Sequence, residues 1–269
     1  AHILEGLGRA PEAQPFLREA LAIYQRSYHG DHPATAQAIH NLASLLHDMG
    51  RSTEAESVYL QALEMRRRLY PGDNTDVAMT LGDLAVVRRG LGRLKESEAS
   101  AHEALEMYSR LLPTNHPTLL TAMGNLAGIR LAMGLAAQAE PLYIQVLEAR
   151  QRESQGDNAY LALSLQNLAF CRIDLGKLEQ AESGAREAVA MSRRVFPEGH
   201  PRLAVALSPL ALALHTQGHG GQAAPLIGEA ETMVLKFEPP EGPLPTRVLD
   251  AKKRMGEARR TQATTQLTK

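Results

Sequence analysis

Residues 32–50 read HPATAQAIHNLASLLHDMG, and the same text returns with variations at 116–134 (HPTLLTAMGNLAGIRLAMG) and 200–218 (HPRLAVALSPLALALHTQG). Blocks opening on Asn74 and Asn158 fall midway between these, so the underlying step is 42 residues. Eighteen residues into every block stands a glycine: Gly50, Gly92, Gly134, Gly176 and Gly218. Small residues recur eleven residues in (Ala43, Ala85, Ala127, Ala169, Ala211) and twenty-three in (Ala55, Ser97, Ala139, Ala181, Ala223). Ala62, Ala104, Val146, Ala188 and Ala230 follow at thirty. Repetition through five blocks without an insertion predicts a row of like units, each burying its apolar face against the next.

Within a block the pattern predicts two helices. Pro33, Pro117 and Pro201 suit a first helical turn, where the missing N–H is not needed and φ is already helical, which makes the preceding histidine a boundary residue. Ile39, Leu42, Ala43 and Leu46 form a stripe at helical spacing, and Gly50 ends it by permitting a left-handed cap. A second helix begins near Thr53, runs its stripe through Ala55, Tyr59, Ala62 and Leu63, and closes at the turn residues YPGDN. Neither helix can bury its stripe alone, so the expected fold is all-α: a right-handed superhelical solenoid of antiparallel helix pairs.

Composition excludes several alternatives. Net charge is −1, which gives no global attraction to nucleic acid or to an acidic membrane surface. The single Cys171 excludes an internal disulfide or thiolate zinc framework and fits a reducing, cytoplasmic setting. No apolar run approaches the roughly 18 residues of a membrane span.

The skeleton NLA…G…EAE…Y…AL in IHNLASLLHDMGRSTEAESVYLQALEMRRRLYPGD resembles the tetratricopeptide repeat (TPR), specifically the 42-residue variety of kinesin light chains. The resemblance covers nearly the whole chain. The expected divisions are a truncated first repeat at 1–31, whole repeats at 32–73, 74–115, 116–157, 158–199 and 200–241, a capping helix at 242–260 and a frayed tail at 261–269. Counting back from Ala43 and Gly50 reaches Ala1 and Gly8, so the chain enters partway along a first helix and is expected to belong to something longer. In the cap, Lys252, Lys253 and Arg254 stand where internal repeats are apolar or small, as a solvated end requires.

What the resemblance implies for function is a concave groove, lined by first helices, that binds a peptide or protein segment. The lining positions fall five, nine, twelve and sixteen residues into each block: Gln37, Asn41, Ser44, Asp48; Met79, Asp83, Val86, Gly90; Thr121, Asn125, Gly128, Ala132; Leu163, Asn167, Phe170, Asp174; Val205, Pro209, Leu212, Thr216. In such arrays amides at the place of Asn41, Asn125 and Asn167 hold the backbone of an extended ligand, since an amide both donates and accepts. The plainer alternative is that they cap or bridge neighbouring helices and that Gly128 merely permits close packing. Asp83 and Pro209 depart from the pattern, which narrows the expected site to the fourth and fifth repeats, where Gly128 and Ala132 leave room beside Phe170 for an apolar anchor.

A second ladder, Arg88, Arg130 and Arg172, stands where the flanking repeats carry Leu46 and Leu214. Glu98, Glu140 and Glu182 recur at the same interval on the second helices, so ion pairs inside each repeat are expected. The competing expectation has these arginines, with Arg89, reaching the groove to hold an acidic partner segment. No catalytic, metal or cofactor site is expected: His215 and His219 have metal-like spacing, but Gly218 ends the helix between them. The leading functional expectation is thus a non-catalytic scaffold. Its alternatives are the sensor half of a signalling enzyme whose kinase or NTPase domain lies upstream, and nucleic-acid binding, helped only by basic residues of the terminal helix.

Overall fold

The computed structural model describes residues 10–154, 156–237 and 248–256. Among the described residues eleven helices precede the last of these segments: α1 (Ala10–Ser27), α2 (Pro33–Asp48), α3 (Ser52–Leu69), α4 (Thr75–Gly90), α5 (Leu94–Leu111), α6 (Pro117–Ala132), α7 (Ala136–Glu153), α8 (Ala159–Asp174), α9 (Leu178–Val195), α10 (Pro201–Thr216) and α11 (Gly220–Phe237). Residues 248–256 are also helical, and no strand occurs among the described residues. Even-numbered helices are the first of a block and odd-numbered ones the second. The chain divides into two compact units at Met133–Gly134, with α1–α6 in the first and α7–α11 in the second. Within each unit every helix packs on the next in sequence. The frayed tail and the outer residues of the expected cap, 242–247 and 257–260, lie outside the described residues.

Even helices begin in one way. His32, His116 and His200 are N-caps whose Nδ1 accepts the N–H of the second residue on, at 3.1, 3.2 and 3.0 Å. Asn74 and Asn158 do the same through Oδ1, at 2.8 and 2.7 Å. Imidazole and amide are interchangeable here because each offers one acceptor at the reach that an orphan N–H of the first turn requires. At the other end Gly50 adopts φ +74°, and the Arg51 N–H reaches back to the Leu46 carbonyl at 2.9 Å, a Schellman closure that a Cβ would strain.

The small residues at eleven, twenty-three and thirty are all buried. They let helices approach closely. Where serine replaces alanine, at Ser97, the hydroxyl donates to the Ala85 carbonyl at 2.6 Å and so remains satisfied. One core cluster in the first unit joins α1 to α6, from Ala13 through Leu42, Tyr59 and Leu84 to Leu119. In the second unit a cluster joins α8–α11 to Val248, Ala251 and Met255.

Candidate functional site

In the first unit several expected groove residues are engaged with one another. Arg66, on the last turn of α3, is 1% exposed. Its Nη2 donates to Gln37 Oε1 at 2.7 Å, and its Nη1 donates to the Asp76 carbonyl at 2.8 Å and to Thr80 Oγ1. Nη1 also lies 3.3 Å from His40 Nδ1. A guanidinium cannot accept, so the His40 Nδ1 that faces it carries no proton and the ring proton sits on Nε2, which faces Asp83 Oδ2 at 3.3 Å. Gln37 in turn donates from Nε2 to Asn41 Oδ1 at 2.6 Å. Thus Asn41 is tied within its own helix and bridges no neighbouring one through this bond.

This network shifts two titrations. Burial, and then the Arg66 charge, push the His40 imidazole down to about 4. The Asp83 side chain is 45% exposed, yet loss of hydration pushes its carboxyl up to about 6, against the pull of Arg66. Burial likewise raises Tyr59, whose hydroxyl is hydrogen-bonded to Ser44, another of the expected groove positions. Sequence reasoning passed over Arg66. A signal existed: Arg150 stands 84 residues on and makes equivalent bonds, to the Tyr160 carbonyl at 2.9 Å and Ser164 Oγ at 2.7 Å.

Other expected residues are unengaged. Asn125 and Asn167 are half-buried and, among the described residues, make no side-chain hydrogen bond. Arg89 is half-buried and has no ion pair among the described residues. Met79, Val86 and Gly128 are half-buried, while Asp48 and Asp174 are exposed. Gly128 and Ala132 belong to the first unit; Phe170 belongs to the second, where it packs against the terminal core. Three expected groove positions of the sixth repeat, Val205, Pro209 and Leu212, are buried.

The arginine ladder pairs with glutamates of the preceding repeat and not with the expected Glu98, Glu140 and Glu182, although Arg88 also lies 3.8 Å from Glu96 of its own repeat. Arg88 Nε lies 3.1 Å from Glu56, Arg130 Nε 3.0 Å from Glu98 and Arg172 Nε 3.6 Å from Glu140, each a carboxylate of the preceding repeat. The reason is packing: each even helix lies beside the odd helix of the repeat before it. Glu56 is closed from its other side by Arg93 at 2.6 Å and Glu140 by Lys177 at 2.6 Å. A further series went unseen in the sequence. Arg68, Arg110 and Arg194 grip Asp31, Asp73 and Asp157 with two bonds each, joining the end of an odd helix to the residue before an N-cap. These bonds hold the three carboxyls below the usual range.

The terminal basic residues are not simply solvated, contrary to expectation. Lys252 Nζ is bonded to both oxygens of Glu231, and Arg254 Nη2 donates to Asp174 Oδ1. No group of three or more potential metal ligands occurs among the described residues, and no helix there is long and apolar enough to cross a membrane.

A family model for the tetratricopeptide repeat matches residues 1–68, 76–152 and 118–194. This chain belongs to the tetratricopeptide repeat family. Among solved structures the array is similar to BtubC (BKLC) from P. vanneervenii, with 21% identity and a TM-score of 0.68 over 87% of this chain and 94% of that one. It also resembles the nearly identical TPR-like repeats of a kinesin light chain from P. anserina, with 19% identity and a TM-score of 0.64 over 72% of this chain and 92% of that one. A Rap protein complexed with Competence and Sporulation Factor matches with 19% identity and a TM-score of 0.64, over 82% of this chain and 60% of that one. No curated protein matches the sequence.

Proposed function

We propose that this tetratricopeptide array is a non-catalytic scaffold that holds a protein or peptide segment on the face of its even-numbered helices. The observation that carries this is the contrast among three periodic amides. Asn41 is bonded to Gln37, whereas Asn125 and Asn167 keep donors and acceptor unused among the described residues. A half-buried amide without a partner has an unmet hydrogen-bonding demand that a peptide group answers in both directions. Each amide takes the ligand within its own unit. In the first unit Met79, Val86 and Gly128 supply apolar contact, and Asp48 and Asp83 supply charge. An acidic segment would meet Arg89, since Arg88, Arg130 and Arg172 are already neutralised by glutamates. The Rap neighbour, complexed with a factor, supports an array of this fold taking a partner.

The test is capture from the native cell extract by the parent chain and by Asn125→Ala and Asn167→Ala separately, each matched to the parent by circular dichroism. We expect a protein retained by the parent and weakened about tenfold by at least one variant, equivalent to about 1.4 kcal/mol. Equal capture by all three chains would assign the amides to structure and overturn the groove reading.

A further inference from the structure

Three groove positions of the sixth repeat are closed off. Val205 and Leu212 are each 2% exposed and Pro209 is buried, whereas their twelve equivalents in the four preceding blocks are all half-buried or exposed. A described segment shares the core beneath this face. Val248, Ala251 and Met255, spaced as one stripe of a helix, are buried in the same cluster as Leu212, and Phe170, the groove residue of the fifth repeat, packs against that cluster.

The ion pair fixes how the helix lies. One repeat step back from Arg254 is Leu212, and two steps back is Phe170 on α8. A helix that merely continued the stack would have α10 between itself and α8 and would leave these positions half-buried, as the next even helix does in the blocks at 32, 74 and 158. Yet Arg254 donates to Asp174, a groove position at the end of α8. Residues 248–256 therefore lie over the face made by α8 and α10 and do not extend the row. Lys252 anchors the other flank to Glu231 of α11. Of the nine residues 248–256 only Val248, Ala251 and Met255 are buried, so their hold on this face is one narrow stripe and the two ion pairs.

We infer that the α8–α10 face is a receptor for an amphipathic helix that carries a basic residue opposite Asp174, and that residues 248–256 are its resident, exchangeable occupant. This rests on the groove being a protein-binding face. It specifies the ligand of the second unit: apolar residues at i, i+3 and i+7 with Arg or Lys at i+6, the order in which Val248, Ala251, Met255 and Arg254 occur. A partner bearing such a helix gains access by displacing the chain's own, and the acidic rim at Asp174 and Glu231 selects against acidic competitors.

The test uses the full chain and a fluorescein-labelled peptide of residues 246–260. The parent should bind it weakly. A releasing variant, Val248→Glu/Met255→Glu, changes only the occupant and should bind it at least about tenfold tighter. Asp174→Lys in the releasing background should abolish the gain, and a peptide carrying Arg254→Glu should restore it. Hydrogen exchange on the unmodified chain gives a variant-free check: amides 248–256 should exchange faster than those of α10, and saturating peptide should speed them further. Protection of 248–256 equal to that of α10, or no affinity gain on release, overturns the inference by making the helix an integral part of the core. Neither readout needs a cellular partner, so failed capture in the asparagine test counts against the proposed scaffold alone. Successful capture with an unchanged peptide titration counts against self-occupancy alone.

Discussion

At the scale of single residues, the array spends its polar side chains on backbone ends and on one buried network. The histidine caps accept at Nδ1, as the asparagine caps accept at Oδ1, so His116→Asn should leave stability nearly unchanged while His116→Ala costs about 1 kcal/mol in urea denaturation. A like cost for both would show that the ring is held for packing. The pair His40 and Asp83 makes opposed contributions to pH dependence. His40 falls from about 6.5 to about 4 on folding, so the unfolded chain binds the extra proton and stability rises with pH across that window. Asp83 rises from 3.8 to about 6, so the folded chain binds the extra proton and stability falls as pH climbs over nearly the same range. His40→Gln should therefore tilt the stability curve downward with rising pH between about 4 and 6, and Asp83→Asn should tilt it upward. Urea midpoints at several pH values read both tilts, and a parallel shift of the curves would dissociate the pair from these titrations.

At the scale of helices, the repeat signal in the sequence disclosed nearly everything that is periodic and little that is paired. Pro33, Gly50, Ala43 and Ala55 mark helix ends and contacts by chemistry each residue carries alone, and such marks survive reading in one dimension. Which glutamate meets Arg88 depends on which helices touch. A spacing of ten residues inside the repeat looked as natural as the true spacing of 32 across repeats. Arg66 was readable only as a periodic residue, through Arg150, and not as a paired one: its partners are a carbonyl, a hydroxyl, an amide and an imidazole, with no carboxylate to advertise it. The pairing yields a sharp test. Arg88→Leu leaves the buried Glu56 with Arg93 alone and should cost about 3 kcal/mol. Arg88→Leu/Glu56→Gln recreates the combination already present at Leu46 and Gln14, and should recover most of that loss. Additive losses in the double variant would mean that the pair contributes through packing of its separate stems.

At the scale of the whole chain, stability in a row of repeats is a sum of nearest-neighbour terms. Ala181→Leu forces a larger side chain into a fully buried helix contact and should cost about 1–3 kcal/mol. Native-state hydrogen exchange should then show lost protection in α8, α9 and α10 with α3 and α4 unchanged, whereas uniform loss would mean that the two units unfold as one. Arrays of this kind lengthen and shorten in evolution by whole repeats, and the glutamate ladder governs where that is tolerated. Removing 74–115 would set Arg130 against Glu56, a match of the same chemistry as the one lost. Removing 32–73 would set Arg88 against Gln14, leaving a half-buried arginine with no carboxylate from the repeat before it. The repeats look interchangeable from their helices, but their ion pairs give each joint a lineage, and only some excisions leave a heritable protein.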